Sequence, residues 1–436
     1  MSSNKTKARF ALTFRALKHR NYRLWFFGQG LSLIGTWMQS MAQQVLVYRL
    51  TGSASALGIV SFMQVVPLIP FGLWGGTLAD RVPKRTVILV TQTLMMTLAF
   101  ILAVLTWTGK VEIWHVYLMS FLLGAAKAVD MPARQSFAVE MVEGKEDLTS
   151  AIGLNAAIHN GGRTLGPVLA GLAVATMGES IAFFLNGLSF LAVIVSLLWM
   201  SDLPRVTLER SEDKQVLTHM KEGVRFILGQ QALLVLMSLV AVNSFLSRPY
   251  QTLMPVFADT MLKDSAQPVV AFLCGGQHPL LSCRAPEALP LGLLLAAVGI
   301  GAVIGALLVA SLPERARRGR VLTLGNLGLP LLLLFFVNSR SLLPSLILLV
   351  FIGMGQVMQN AMANILLQIT APDRLRGRVM SIYSLVTQGM THVGGLQAGF
   401  MADWVGAPWS VGVGAALSLL YGAFVALRYR KVRDMA

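Results

Sequence analysis

Twelve apolar runs, each near the length that crosses a bilayer, follow one another along this chain with only short polar connections between them. A membrane span needs roughly 20 apolar residues. Runs of that kind fall at 23–48, 55–79, 86–108, 112–132, 149–176, 180–201, 232–257, 289–312, 321–337, 342–369, 379–402 and 408–428. The supply of charge excludes a soluble packing of so much apolar chain. Of 436 residues 13% are charged and 55% hydrophobic, whereas a soluble domain is about 25% charged. Most of the surface must meet lipid, and the expected fold class is an all-α membrane protein with twelve transmembrane helices.

The charges orient the chain. The net charge is +16, but the basic residues stand in short clusters between the runs, which points to membrane topology and not to nucleic acid. With the N-terminus inside, the inner segments hold 29 Lys and Arg, the stretch 127–145 among them. The outer loops hold five: Arg49, Lys110, Lys263, Arg284 and Arg340. Arg163 and Arg248 fall within runs. This asymmetry predicts both termini on the cytoplasmic side of the membrane.

The segment 1–22 is not read as a signal peptide, because the apolar run after it is long and lacks a small-residue cleavage site. Phe10, Phe14 and Leu17 keep helical spacing among Arg15, Lys18 and Arg20, which predicts a short basic helix on the inner leaflet. A charged inner loop, 202–231, divides the spans six and six, giving halves at 23–201 and 232–428 and a tail at 429–436. Within the loop Val216, Met220, Val224 and Ile227 predict an amphipathic helix along the membrane surface. An outer insertion at about 266–288 holds Cys274 and Cys283. Either a disulfide or a disordered insertion fits it, and the composition favours the insertion.

Two cysteines exclude a multi-cysteine metal site, and P-loop, GxSxG, HExxH and CxxC motifs are all missing. No enzyme activity, cofactor or metal is expected; the expected partners are the bilayer and a small molecule, met by a monomer.

Gly166 and Gly171 in the fifth run recur as Gly394 and Gly399 in the eleventh, an offset of 228 residues. Two six-span halves in parallel repeat mark one transporter architecture. Between runs two and three stands Gly76-Thr77-Leu78-Ala79-Asp80-Arg81-Val82-Pro83-Lys84-Arg85. It resembles the signature loop of the major facilitator superfamily, with Pro83 where many members have glycine. Gly153, Gly162, Gly166, Pro167 and Gly171 resemble the motif of the superfamily's exporter branches, with Ala170 where a glycine is usual. The stretches Phe14–Leu24 and Asp130–Gln135 resemble the bacterial branch containing enterobactin and macrolide exporters.

The resemblance implies two pseudo-symmetric six-helix halves and alternating access, with efflux coupled to protons. It further implies a gate latch, in which Asp80 meets the N-terminal end of span eleven and Arg81 or Arg85 pairs with Asp130. Leu118 stands where many proton-driven exporters carry an arginine.

Polar residues recur on helical faces. Gln29, Ser32, Thr36, Gln39 and Gln43 form one stripe; Asn155, His159 and Arg163 form a second. Ser244, Ser247 and Gln251 lie together beside Arg248, and Gln356, Asn360 and Asn364 form a fourth set. Such groups are costly in lipid and should face protein or water. In the superfamily, spans one, four, seven and ten line the central cavity. The expected cavity residues are therefore Gln29, Thr36, Gln39, Gln43, Asn155, Arg163, Arg248, Gln251, Gln356 and Asn360, with interhelical hydrogen bonding as the competing explanation. Gly162 and Gly166 share one face of span five, and Gly153 and Gly171 the opposite one. This arrangement suits tight packing and a gating surface equally.

No carboxylate lies near the middle of any run. His159 and His392 are the groups at that depth that titrate near neutral pH, and are the candidate proton carriers. Arginines without an acid favour anionic or neutral amphiphiles over cations. An importer or facilitator of the same fold, or a non-transporting membrane receptor, is the alternative reading.

Overall fold

In lipid every backbone N–H and C=O needs a partner within its own segment, so apolar runs of this length become helices. A computed structural model of the chain describes residues 14–68, 70–72, 82–142, 144–201, 216–275, 280–313, 317–429 and 433. No strand occurs among these residues.

The helices are α1 (Arg20–Thr51), α2 (Ala54–Val65), α3 (Lys84–Trp107), α4 (Ile113–Glu140), α5 (Lys145–Met177) and α6 (Glu179–Leu198). The surface helix α7 (Val216–Gly229) follows. Then come α8 (Gln231–Leu246), α9 (Met254–Thr260), α10 (Lys263–Cys274), α11 (Ala288–Ser311) and α12 (Arg318–Asn338). The last three are α13 (Leu342–Thr370), α14 (Asp373–Val405) and α15 (Ala407–Arg428).

Among the described residues nine helical stretches are long and apolar enough to cross a membrane. Helices α1, α5 and α14 do not meet that hydropathy, although they have 32, 33 and 33 residues. Of these three, α1 and α5 carry polar stripes, and α5 and α14 carry the repeated glycines. The seventh run, expected as one span over 232–257, is broken. Helix α8 ends at Leu246, a 3₁₀ turn covers Arg248–Gln251, and α9 starts afresh at Met254. Pro249 and Pro255 explain the break, since each removes a backbone donor.

The repeat extends beyond the glycines. Helices α5 and α14 have equal length and are displaced by 228 residues at both ends. Gly178 and Gly406 follow them at the same offset, with φ of 86° and 87°, and each alone joins its helix to the next. A left-handed junction of one residue suits glycine, which has no Cβ to clash.

The first six helices meet the later ones along two seams, α2 against α14 and α5 against α11. Gly399 lies on the backbone of Ala54, Gly58 on that of Gly395 and Leu396, and Gly171 on Gly292. These contacts lie away from the basic end, where Arg20, Lys84, Arg318 and Arg376 cluster. Toward the basic end, Gly153 and Gly161 of α5 and Gly389 of α14 face open space. The halves thus touch over their far portions and part toward the basic end.

Two connecting segments differ from expectation. Among the described residues a 3₁₀ turn, Arg15–Lys18, precedes α1; Phe10, of the expected basic helix, lies outside them. This turn is pinned to α5: Arg15 and His19 reach the Asp147 carboxylate at 2.6 and 2.8 Å, and Ala16 N–H donates to Ser150 Oγ at 3.1 Å. The hydrogen bond from His19, with Arg15 beside it, holds the Asp147 carboxyl below its ordinary range.

The insertion is built of α10, whose end is closed by a disulfide between Cys274 and Cys283, with Cα atoms 5.4 Å apart. The disordered reading is corrected to that extent. The next residues, Arg284 and Ala285, donate their N–H groups to the Ala175 carbonyl of α5 at 2.6 and 3.0 Å. Helix α7 packs on α14, with Phe226 and Ile227 in one cluster with Ile382 and Tyr383; of the expected face, Ile227 is buried, Val224 is exposed and Val216's side chain lies outside those described.

Candidate transport cavity

Where the seams part, a cavity of about 170 Å³ lies between the two halves. Helix α1 lines it with Trp37, Ser40, Gln43 and Gln44, and α2 with Ser61 and Gln64. Arg163 and Pro167 of α5, Arg248, Gln251 and Thr252 after α8, and Thr391 and His392 of α14 complete its polar wall. Met41, Val47, Leu57, Val60, Leu295 and Val298 make the remainder apolar.

The Gln356 side chain is the hub of the far wall. Its Oε1 accepts from Gln251 Nε2 at 3.1 Å, from Tyr250 Oη at 3.4 Å and from Arg163 Nη2 at 3.4 Å. Arg163 comes from α5 and Gln356 from α13, so this contact joins the halves. The Arg163 guanidinium also sits 5.8 Å from the Trp37 ring, within range of its negative face. Arg248 donates from Nη2 to Asn360 Oδ1, while its Nε is buried without a partner. A second link crosses the other seam: Ser61 Oγ and His392 Nδ1 are 2.7 Å apart.

Of the expected cavity residues, the structure places Gln43, Arg163, Arg248 and Gln251 on the wall, with Gln356 and Asn360 just behind as acceptors. Others face elsewhere. Gln39 is buried and accepts from Asn186 of α6 at 2.6 Å. Gln29 is buried off the cavity, and Thr36 and Asn155 are half-buried and do not line it. The physical reason is the packing of α1 on α6. Gly28 and Gly35 let α6 approach, with Ser196 against the first and Ser189 and Asn186 against the second. The α1 stripe therefore serves interhelical hydrogen bonds in large part, and the cavity is met by the neighbouring face of Trp37, Ser40 and Gln44.

The expected latch is only partly within view. Gly76, Leu78, Asp80 and Arg81 lie outside the described residues. Lys84 pairs with Glu140, and Arg85 donates to the Leu198 carbonyl at 3.2 Å. Asp130 is buried, and Arg134 on its own helix holds it at 2.7 Å. Thr91 and Gln92 of α3 donate to its other oxygen at 2.6 and 3.2 Å. Of the two expected partners of Asp130, Arg85 is corrected, since it donates to Leu198 and the intrahelical i, i+4 partner takes the carboxylate; Arg81 lies outside the described residues.

The span-five glycines divide by face. Gly162 and Gly166 admit α1 at Leu33 and Trp37, Gly171 admits α11, and Gly153 touches nothing. His159 is exposed on the open side of α5.

Sequence reasoning missed one cation. Pro132 was taken as the end of span four, but α4 carries it inside and runs on to Glu140. Lys127, counted with the inner segment 127–145, is thus in mid-helix. It is exposed there. A lysine between Gly124 and Asp130 in an otherwise apolar run was the available signal. Ser61, Gln64 and Thr252 were missed because each is isolated on its helix. Among the described residues no cluster of His, Cys, Asp and Glu could hold a metal ion.

Comparison with known proteins follows the same lines. The family described as transmembrane secretion effector matches residues 11–435. The staphyloferrin A transporter of Staphylococcus aureus is 22% identical over 88% of this chain and 90% of its own. The multidrug efflux pump Tap of Mycolicibacterium fortuitum is 25% identical over 83% of this chain and 84% of its own. Among solved structures, the nucleoside transporter NupG superposes with a TM-score of 0.71 at 12% identity, over 95% of this chain and 99% of that one.

Proposed function

The chain belongs to the transmembrane secretion effector family of major facilitator transporters, and on that premise we propose that it is a proton-coupled exporter of a small amphiphilic molecule. It is a membrane transporter and not an enzyme. The exporter works by alternating access across a bacterial cytoplasmic membrane, with the basic end and both termini inside. The observation that carries this reading is the cavity itself. It lies on the seam, both polar and apolar side chains line it, and Arg163–Gln356 and Ser61–His392 link the halves there. A rocking motion of the halves must break or remake those two links.

Direction rests on the span-five glycine motif and on relatives named as efflux proteins. Proton coupling rests on His392, on the cavity wall, and on His159, exposed one helical turn before Arg163; histidine is the side chain whose ordinary range spans neutral pH. Exchange of His392 between Ser61 and a proton would couple protonation to seam opening.

The test uses everted membrane vesicles, which place the basic end outward. Staphyloferrin A, erythromycin and ethidium are offered in turn, with a respiration-driven proton gradient. Accumulation that a protonophore abolishes and sodium does not restore supports the reading. Uptake only by right-side-out vesicles, or accumulation that follows sodium alone, overturns it.

A further inference from the structure

We propose that the cavity binds one carboxylate shared between Arg163 and Arg248, and so selects amphiphiles with a single anionic head. The proposal deepens the transporter reading and rests on it for the assumption that the cavity receives the cargo.

Both arginines line the same cavity, Arg163 from α5 in the first half and Arg248 from the turn after α8 in the second. Their partners fix how near they come. Arg163 reaches Gln356 and Arg248 reaches Asn360, which stand one helical turn apart on α13. Side chains at that spacing are neighbours on one helix face, about 5–6 Å apart at Cβ. The two guanidinium groups therefore converge on one patch of the wall. No Asp or Glu stands among the described residues that line the cavity.

Donors outnumber acceptors at this patch. A side-chain amide oxygen has two lone pairs. Gln356 Oε1 meets three donors, Gln251 Nε2 at 3.1 Å, and Tyr250 Oη and Arg163 Nη2 at 3.4 Å. The Arg163 contact is longer than an ordinary N–H···O bond of about 2.7–3.2 Å. Arg248 Nε is buried with no partner. The amides carry no charge, so the two cations repel each other with no acid between them.

A carboxylate supplies what is missing, a negative charge and one oxygen for each guanidinium. It frees Gln356 Oε1 for Gln251 and Tyr250, and it replaces the long Arg163–Gln356 contact between the halves with a charged one. The Trp37 ring, 5.8 Å from the Arg163 guanidinium, lines the cavity together with Leu295 and Val298. Cargo that fits therefore carries an apolar body beside its carboxylate, and organic cations are repelled.

The test is equilibrium binding to the purified full-length protein in detergent at neutral pH, with the signal of protein-free micelles subtracted. Three fluorescent probes share one apolar body: dansylglycine (a carboxylate), dansylglycinamide (neutral) and dansylcadaverine (a cation). Dansylglycine should bind about tenfold tighter than its amide, as expected for an added charge-assisted contact, and dansylcadaverine should not displace it. Arg163→Gln and Arg248→Gln should each remove most of the preference for the acid. Arg248→Lys should keep part of it, since the charge remains without the planar fork. Residues that merely shaped the cavity would weaken acid and amide alike and leave their ratio unchanged.

Equal binding of acid and amide by the wild-type protein, or displacement of the acid by dansylcadaverine, overturns the proposal and needs no variant to fold. So does an unchanged preference in either glutamine variant that elutes and melts as wild type. Binding in detergent is blind to direction and energy source, so a failed vesicle assay and a failed binding assay are separate results.

Discussion

Asp403 on α14 accepts the backbone N–H of Ala54 at 2.7 Å and so sets a carboxylate against the first turn of α2 in the other half of the molecule. The same carboxylate takes Ser55 N–H at 3.0 Å and Ser53 Oγ at 2.8 Å. An anion at a helix N-terminus meets unpaired donors and the positive end of the dipole. Asp403 lies beyond the apolar run 379–402; partial burial pushes its carboxyl up, but the hydrogen bonds from Ser55, Ser53 and Ala54 outweigh this and hold it below the ordinary range. At the repeat-related position on α5, the Ala175 carbonyl accepts Arg284 and Ala285. Both seams are therefore closed at the far end by hydrogen bonds between halves.

Asp403→Asn should weaken this closure by about 1 kcal/mol, the usual scale for a cap or a charge on a helix dipole. The far side should open roughly fivefold more often, which thiol labelling of a cysteine placed at Ser40 would read. Because the carboxyl is depressed in the closed state, its contribution is complete at neutral pH. It is lost as pH falls through that lowered value, below about 4. Labelling that is unchanged by the substitution would remove Asp403 from the closure.

Gly292 has no room for a side chain. A Cβ there would stand 2.8 Å from the Pro167 carbonyl oxygen and 3.0 Å from Gly171 Cα, both backbone atoms. Gly292→Ala should force the α5–α11 seam apart at a cost of about 1–3 kcal/mol and slow transport. Gly153→Ala meets open space and should raise the melting temperature slightly, since alanine is about 1 kcal/mol better than glycine in a helix. Equal damage by both would show that the effect does not come from packing at the α5–α11 seam.

The buried Asp130–Arg134 pair predicts a second contrast. Asp130→Asn leaves the Arg134 guanidinium without its acid and should destabilise the protein by about 3 kcal/mol or more. Asp130→Arg combined with Arg134→Asp should recover part of the loss in thermal unfolding. Asp130→Arg combined with Arg85→Asp should recover none, because Arg85 is bonded to Leu198.

The disulfide closes a loop with a sequence separation of nine. Its removal frees chain entropy of about 2–3 kcal/mol locally. Cys274→Ser with Cys283→Ser, or reduction of the wild type, should speed hydrogen exchange over 263–285 and at Ala175's partners Arg284 and Ala285. Exchange elsewhere should stay as it was. A uniform rise across the chain would mean that the segment supports the whole fold.

Where the helices lie was legible in the sequence. The run 342–369 became α13 over Leu342–Thr370, and 149–176 became the interior of α5. Each helix satisfies its own backbone, and lipid demands an apolar length, so position is a local property. The repeat was legible as well, because Gly166 and Gly394 answer the same close contact in each half. Which way a polar side chain points was not. Gln39 and Ser40 are adjacent, yet one bonds Asn186 and the other meets the cavity. Helix rotation decides that, and Gly28 and Gly35 set the rotation of α1 by admitting α6 from more than 140 residues away. The partner of Asp130 and the pairing of Cys274 with Cys283 were likewise decided by tertiary structure. Each depends on where a second segment arrives in space, and helical periodicity carries no information about that.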